Sequence, residues 1–242
     1  MNINNLNPET FILIMPVYND EDNIEKTINM WIPKVKKIVG SEILVVNDGS
    51  SDQTLNILEK FKNKISQFSV INKSNGGHGS AIIAGYTEAV NSKHDWVFQV
   101  DSNGQIPSYN FDKLWSNRIN SDFILGFRFK RSDAKYRIII SWSSTILIYL
   151  LFGKIIKDPN IPYRLMRREY LKTLLPKVPR NIFIPNILLS ILAMKNGQNL
   201  FNIPVNHEFR VKKYKSKQII LKWIPRSLMD LLRFMFDQQY DK

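Results

Sequence analysis

The sequence predicts an α/β protein built on a mostly parallel sheet, and three features carry that expectation. Apolar runs of four or five residues recur through the first half of the chain, at Phe11–Met15, Ile43–Val46, Phe68–Ile71 and Trp96–Val100. Segments with apolar residues at helical spacing separate them, so strand and helix alternate in short succession, the pattern of right-handed βαβ units. Each run ends in a polar cluster: Pro16–Asp20, Asn47–Asp52, Ser74–Gly79 and Asp101–Gln105. In a parallel sheet all four clusters gather on one edge, where ligands bind in open α/β sheets.

Phe11–Met15 is stopped by Pro16 and reads as the first strand. PVYNDEDN then turns into a helix, with Asn19 or Asp20 placed to cap it and acids in its first turn. Ile24, Ile28, Trp31 and Ile32 keep helical spacing as far as Pro33. The second strand, Ile43–Val46, runs into NDGSSD, where Asp52 opens a helix carrying Leu55, Leu58, Phe61 and Ile65 on one stripe. After Phe68–Ile71 come the glycine-rich NKSNGGHGS and a small-residue helix from Ser80 to Val90. Trp96–Val100, apolar apart from Gln99, reads as the buried central strand. Phe111–Arg118 follows as a helix and Phe123–Gly126 as a strand ending in GFRFKR.

Ile138–Phe152 holds no charge in fifteen residues. A membrane span needs about 20, so this segment reads as a core helix or an interfacial one. DPNIPYRLMRR is a proline-pinned loop entering a strand or a helix, followed by Tyr170–Leu175, an apolar helix at Ile182–Met194 and a final strand at Leu200–Val205. Val211–Arg226 carries six basic residues among aromatic and aliphatic ones, and Leu228–Phe236 continues with Arg233 and further apolar residues. Such a basic amphipathic segment suits an anionic membrane surface. A helix packed on the domain or on a second subunit fits the same pattern.

At 242 residues the chain can form one large domain, or one domain with an appendage. The absence of cysteine excludes disulfides, thiolate zinc sites and cysteine nucleophiles. MNINNLNPET has no apolar secretory core, which leads us to expect a cytoplasmic protein, or one on the cytoplasmic face of a membrane. The net charge of +13 is uneven: up to Asn110 nine lysines and no arginine face twelve acids, whereas from Phe111 onward 25 basic residues face nine acids. The second half is therefore expected to meet something anionic: phosphates, acidic lipid or nucleic acid.

Asp101, Asn103 and Gln105 present oxygen-bearing side chains at alternate positions beyond the central strand, and Gly104 lets the backbone turn. Hard oxygen donors there suit Mg²⁺ or Mn²⁺ that also holds a phosphate, while a polar turn after a core strand is the plainer alternative. Two familiar phosphate motifs are missing. NGGHGSAI has Ile82 where GxGxxG from Gly77 needs glycine, and no GK[ST] follows a glycine loop. His78, in that loop, reads as a solvent or phosphate contact rather than a catalytic base.

PVYND, VVNDGSSDQT, NGGHGSAIIAGY and VDSNGQ, in unbroken order over residues 9–130, resemble a family-2 glycosyltransferase of GT-A fold. GFRFKRSDAKYRIIIS and DPNIPYRLMRR are similar, more loosely, to the branch containing dolichyl-phosphate and undecaprenyl-phosphate sugar transferases. The resemblance implies a Rossmann-like sheet flanked by helices and a nucleoside-diphosphate-sugar donor. Pro16, Tyr18 and Asp20 would flank base and ribose, with Asn47, Asp48, Gly77, Asp101 and Ser102 completing the donor site. Asp101, Asn103 and Gln105 match the family's metal motif, implying Mg²⁺ or Mn²⁺. Asn103 replaces an aspartate usual there, and Asn47 replaces another in the second motif, so each site loses a charge. On the acceptor side Arg128 and Arg137 match basic positions, Asp158 the aspartate after the apolar stretch, and Arg164 the arginine following it. Arginines would grip an acceptor phosphate bidentately, whereas Asp158 would serve as general base for a hydroxyl acceptor. His207, Arg210, Ser216 and Lys217 only loosely follow the branch's late basic motif.

These features divide the chain into a GT-A domain over 1–210, with a donor half at about 9–130 and an acceptor half at about 130–210, and a basic amphipathic extension over 211–242. The expected activity is metal-dependent, inverting transfer of a sugar to a membrane-linked acceptor, a polyprenyl phosphate first. Transfer to a sugar hydroxyl of a surface polysaccharide is the alternative. A non-catalytic nucleic-acid-binding protein would explain the charge but not four polar clusters at strand ends. Contact with an anionic membrane and self-association through the C-terminal helix are the expected partnerships.

Overall fold

A computed structural model describes residues 8–130, 145–153, 155–208 and 216–236. Its elements in chain order are β1 (Phe11–Val17), α1 (Ile24–Lys37), β2 (Glu42–Asn47), α2 (Thr54–Lys64), β3 (Phe68–Asn72), α3 (His78–Asn91), β4 (Trp96–Val100), α4 (Phe111–Ser116) and β5 (Phe123–Lys130). Then follow α5 (145–152), β6 (Tyr163–Arg167), α6 (Arg168–Leu174), α7 (Pro185–Lys195), β7 (Phe201–Asn206) and α8 (Ser216–Phe236).

Among the described residues the strands form one seven-stranded sheet, ordered β3-β2-β1-β4-β6-β5-β7. All run parallel except β6, which lies antiparallel between β4 and β5. In DPNIPYRLMRR, Tyr163–Arg167 is therefore a strand, and α6 begins directly after it at Arg168. Every residue of β1 and β4 is buried, which is why their sequences read as near-continuous apolar runs. Under β4 the rings of Trp31, Phe98, Phe111 and Tyr163 form an aromatic cluster, with Phe98 meeting Phe111 at 4.8 Å and Tyr163 at 4.9 Å between centroids. Such pairs contribute about 0.5–1.5 kcal/mol each beyond their burial. They hold α1 and α4 against one face of β4 and of its neighbour β6.

Strand order reverses at β1, which pairs β2 on one side and β4 on the other. Pairing with β4 ends at Ile14–Gln99, whereas pairing with β2 continues to Val17–Asn47. Pro16 lies beyond the last β1–β4 pair, so its missing N–H costs that ladder nothing. The two strands part there, and a crevice opens at the carboxyl edge.

Several boundaries differ from the sequence expectation. α1 continues through Pro33 to Lys37, because Pro33 and Asn29, whose carbonyl loses its partner, both face solvent while Val35 anchors the last turn in the core. Its N-cap is Asn23 rather than Asn19 or Asp20, and the Asp20 carbonyl accepts the N–H groups of Asn23 and Ile24. α7 begins only at Pro185, so residues 182–184 lie outside the helix. Of Ile138–Phe152, expected as a core or an interfacial helix, residues 145–152 are helical with Ile148 buried and Leu150 exposed, and 138–144 lie outside the described residues.

At the opposite edge His94 is buried, with Nδ1 3.2 Å from Thr10 Oγ1 and Nε2 3.5 Å from Glu42 Oε2. Burial holds its pKa below the usual 6.5, opposed by the Glu42 carboxylate; Lys93 lowers it and Asp95 raises it further. The unfolded chain therefore takes up a proton below pH 6.5 that the fold resists, and stability falls as pH drops from 6.5 toward the folded-state pKa. His94→Gln should flatten this part of the profile, as read from melting temperatures between pH 7.5 and 5.

Candidate active site

The four polar clusters meet at the carboxyl edge through a connected set of hydrogen bonds. After β1, Asn19 sits at φ 46°. Its N–H donates to Ser50 Oγ at 3.0 Å, and its Oδ1 accepts the Ser51 N–H at 2.8 Å. The left-handed backbone suits asparagine, whose short amide bonds locally. Asp20 is buried; its N–H donates to Thr54 Oγ1 at 3.0 Å, and its Oδ2 accepts the Ser102 hydroxyl at 2.7 Å. Thr27 Oγ1 donates to the Ser102 carbonyl at 2.6 Å. Clusters one, two and four are thereby tied together. Pro16 is buried and Tyr18 is half-exposed at the crevice.

Asp48 does something that its position in the motif did not announce. Its Oδ1 accepts from Lys73 Nζ at 2.7 Å and the Gly76 N–H at 3.0 Å, and its Oδ2 accepts the Gly77 N–H at 2.8 Å. The carboxylate thus occupies the N–H groups at the entrance to α3, the place where a glycine loop would otherwise receive an anion. Gly77, at φ 86°, takes the conformation that lets the chain enter the helix. Asn47 is fully buried, donating to Asn72 Oδ1 at 2.8 Å and accepting from Ser50.

The Asp101 side chain is about one-quarter exposed, and its Oδ1 lies 3.9 Å from His78 Nε2. Asn103 Oδ1 accepts the Gln105 N–H at 2.9 Å, closing an Asx turn, and Gln105 reaches the Glu208 carbonyl at 3.4 Å. Among the described residues no group of three His, Cys, Asp or Glu is placed to hold a metal ion. The loop's donor set is one carboxylate and two amide oxygens. It fits a hard cation that draws most of its balancing charge from a bound diphosphate, and not a self-sufficient protein cage.

Arg128, on β5, and Asp158 face each other. Arg128 Nε and Nη2 donate to the two Asp158 oxygens at 2.7 and 2.6 Å, a bidentate pair with both side chains largely buried. Asp158 holds φ 49°. Arg164 lies beneath this pair: it is fully buried, and its guanidinium donates to the carbonyls of Pro159 (3.1 Å), Ile161 (3.0 Å) and Asn186 (2.9 Å). Burial lowers its pKa, opposed by the Tyr86 hydroxyl and Asp158. Tyr86, whose own pKa burial raises, donates to Gln99 Oε1 and lies 3.2 Å from Asn186 Oδ1. Arg164 therefore braces the 158–161 turn and the start of α7 rather than facing the crevice. Arg137 lies outside the described residues.

Thr27, Lys73, Tyr86 and Asn186 join this framework without having been singled out in the sequence. Thr27 carried a readable sign, a polar residue within the buried stripe of Ile24, Ile28 and Trp31. The other three carried none, because their partners lie far away along the chain.

This fold, with its switch-point crevice and oxygen-rich strand ends, defines a GT-A glycosyltransferase. The glycosyl transferase family 2 profile matches residues 12–175, and the chain belongs to that family. It is similar to undecaprenyl-phosphate 4-deoxy-4-formamido-L-arabinose transferases: 28% identical over 215 residues to that of Pectobacterium carotovorum, and 27% over 215 residues to that of Salmonella choleraesuis. Each alignment covers 86% of this chain and 63% of the relative, so the chain spans less than two thirds of these relatives' length. Among solved structures it is similar to glucosyl-3-phosphoglycerate synthase from Mycobacterium tuberculosis in complex with Mn²⁺, UDP-glucose and phosphoglyceric acid. One such complex superposes with a TM-score of 0.71 at 16% identity, over 94% of this chain and 80% of that one. A second gives 0.72 at 17% identity with the same coverage.

Arg164→Met keeps most of the side-chain volume but takes the guanidinium from the Ile161 carbonyl, while Ser190 Oγ still reaches those of Asn186 at 2.9 Å and Pro159 at 3.4 Å. At about 1–3 kcal/mol for an unsatisfied buried group, urea unfolding should register a loss of about that size.

Proposed function

We propose that this protein transfers a sugar from a nucleoside-diphosphate sugar to a membrane-linked acceptor, most directly a polyprenyl phosphate, with inversion at the anomeric carbon. The observation that carries the donor half is the crevice between β1 and β4, with the Asp101 carboxylate at its mouth and Asp20, Ser102 and Tyr18 around it. Nucleotides bind open α/β sheets at such switch points. Asp101, with Asn103 and Gln105 beside it, would hold Mg²⁺ or Mn²⁺ against the diphosphate. When bound, the cation neutralises charge on the departing diphosphate. The Mn²⁺ and UDP-glucose named for the structural neighbours are in keeping with this chemistry.

The acceptor half rests on Arg128 and Asp158. A hydroxyl acceptor needs a base to take its proton, but the Asp158 carboxylate is committed at both oxygens to Arg128. A phosphate acceptor is already an anion and requires no base. Its oxygen attacks the anomeric carbon, the bond to the diphosphate breaks, and the electron pair leaves with that group. Arg128, at the end of β5 on the same edge as Asp101, would meet the incoming phosphate, with Arg137 from the adjoining sequence as its expected companion. Asp158 then orients Arg128 rather than accepting a proton. The undecaprenyl-phosphate relatives favour the same acceptor class. We place the protein on the cytoplasmic face of a membrane, with the GT-A domain over 1–210 and the helical extension beyond it.

Thermal melting with UDP, GDP, CDP and dTDP sugars, with and without Mn²⁺, tests the donor site. One nucleotide at about a hundredfold excess over Kd should stabilise the protein by roughly 2.7 kcal/mol, and Asp101→Ala should remove the metal-dependent part. No response to any nucleotide would sink the donor assignment. Asn103→Asp adds a second carboxylate and should raise apparent Mn²⁺ affinity; an unchanged affinity would mean that residue 103 does not contact the cation.

A further inference from the structure

α8 carries two apolar faces where a surface helix needs one. One face is seated: Leu231 and Phe234 are buried, Phe234 meets the Phe152 ring of α5 at 6.3 Å between centroids, and Asp230 Oδ2 accepts the Phe183 N–H at 2.9 Å. The other is bare. Leu228, Met229, Leu232, Met235 and Phe236 are all exposed, Phe236 at 78%. At 3.6 residues per turn they share an arc of about 120°. Arg226 and Arg233 fall at its border, both exposed.

α5 repeats the arrangement. Ile148 is buried and Phe152 packs on the core, while Ile146, Tyr149 and Leu150 point outward, Leu150 at 71% exposure. The helices touch, and Ile155 just beyond α5 is exposed as well. An outward apolar surface built from two helices is more than the scattered exposure normal for soluble proteins. Between α8 and residues 179–188 runs a groove of about 530 Å³, lined by Ile182, Leu188, Phe234 and Phe236 with Arg233 among them.

We propose that this two-helix face is a docking surface for an anionic lipid bilayer, on which the protein lies with the apolar side chains of α5 and α8 inserted at the headgroup boundary. Charge selects this occupant. Arg226 and Arg233 border the apolar arc, and the sequence entering α8 adds Arg210, Lys212, Lys213, Lys215 and Lys217. A basic cluster on an amphipathic helix suits acidic headgroups. A second copy of a chain with a net charge of +13 would bring like charges together. Among the described residues no helix is long and apolar enough to cross a membrane.

The face also stands close to the donor edge. Phe183, held by Asp230, follows Ile182, whose carbonyl oxygen would lie 2.1 Å from a Cβ on Gly79. Only glycine admits that approach, and the neighbouring His78 is the residue facing Asp101. A bilayer under α5 and α8 would therefore present a lipid-borne phosphate one chain segment from the proposed donor site. The inference deepens the lipid-acceptor reading and rests on it for its purpose, but lipid binding is measured without turnover.

The full chain would be floated with phosphatidylcholine vesicles and with vesicles also containing phosphatidylglycerol, at low and high salt. It should float with the anionic vesicles, weakly with the neutral ones, and less at high salt. Leu150→Glu combined with Leu232→Glu should weaken anionic vesicle binding by about tenfold or more, with melting temperature and nucleotide response unchanged. Absence of flotation, or a double variant that floats as well as wild type, would overturn the proposal. So would a wild-type dimer that the double variant converts to monomer, since the face would then be covered by a second copy. Loss of the nucleotide response with flotation intact would instead count against the donor reading alone.

Discussion

The parting of β1 and β4 at their carboxyl ends governs the rest of the molecule. Both strands are fully buried and hydrogen-bonded through Ile14 and Gln99, and beyond that pair the sheet opens because its order runs outward in both directions. Polar groups that the loops bury beside the opening cannot be left unpaired without a cost of about 1–3 kcal/mol each. The loops around the crevice meet that demand among themselves: Asp20 with Ser102 and Thr54, Thr27 with the Ser102 carbonyl, Asn19 with Ser50 and Ser51. The edge is thereby stiff before any ligand arrives, and pre-organisation of this kind lowers what binding must spend on ordering.

Two buried charges serve the same end on opposite sides of the crevice. Asp48 holds the glycine loop to β2 through Gly76, Gly77 and Lys73. Arg164 holds the 158–161 turn to α7 and β6 through carbonyl oxygens alone. Asp48 is committed to two backbone N–H groups and the Lys73 ammonium, and Arg164 to backbone carbonyls. Tyr18 and Asp101 lie closer to solvent at the carboxyl edge. The antiparallel insertion of β6 carries Arg164 into register with Gln99 and Leu125 at the centre of the sheet.

The chain's asymmetry in charge has a counterpart in space. The acidic first half builds the carboxyl edge around Asp20, Asp48 and Asp101, and the basic second half supplies Arg128, the brace at Arg164 and the outward face of α5 and α8. A donor carrying its own negative charge and an acceptor anchored in an acidic surface would approach from different directions. α8, seated through Asp230, Leu231 and Phe234, connects the two through the 182–183 segment against Gly79.

Strand existence, the parallel core and the gathering of four polar clusters were legible in the sequence, because each depends on local periodicity and on where an apolar run stops. Asp101 at the strand end and the break in the dinucleotide fingerprint at Ile82 could be read the same way. What only the tertiary structure decided are the pairings made across long sequence separations: Asp48 with Gly76 and Gly77, Arg128 with Asp158, Arg164 with Asn186, Tyr86 with Gln99. A charged residue reads alike in a sequence whether it meets solvent, substrate or a buried carbonyl; which one it meets is set by the strand that carries it and by what packs above it. The tail shows the same limit. Its composition declared an amphipathic helix, but only the packed domain reveals that one apolar face is covered and the other left outward.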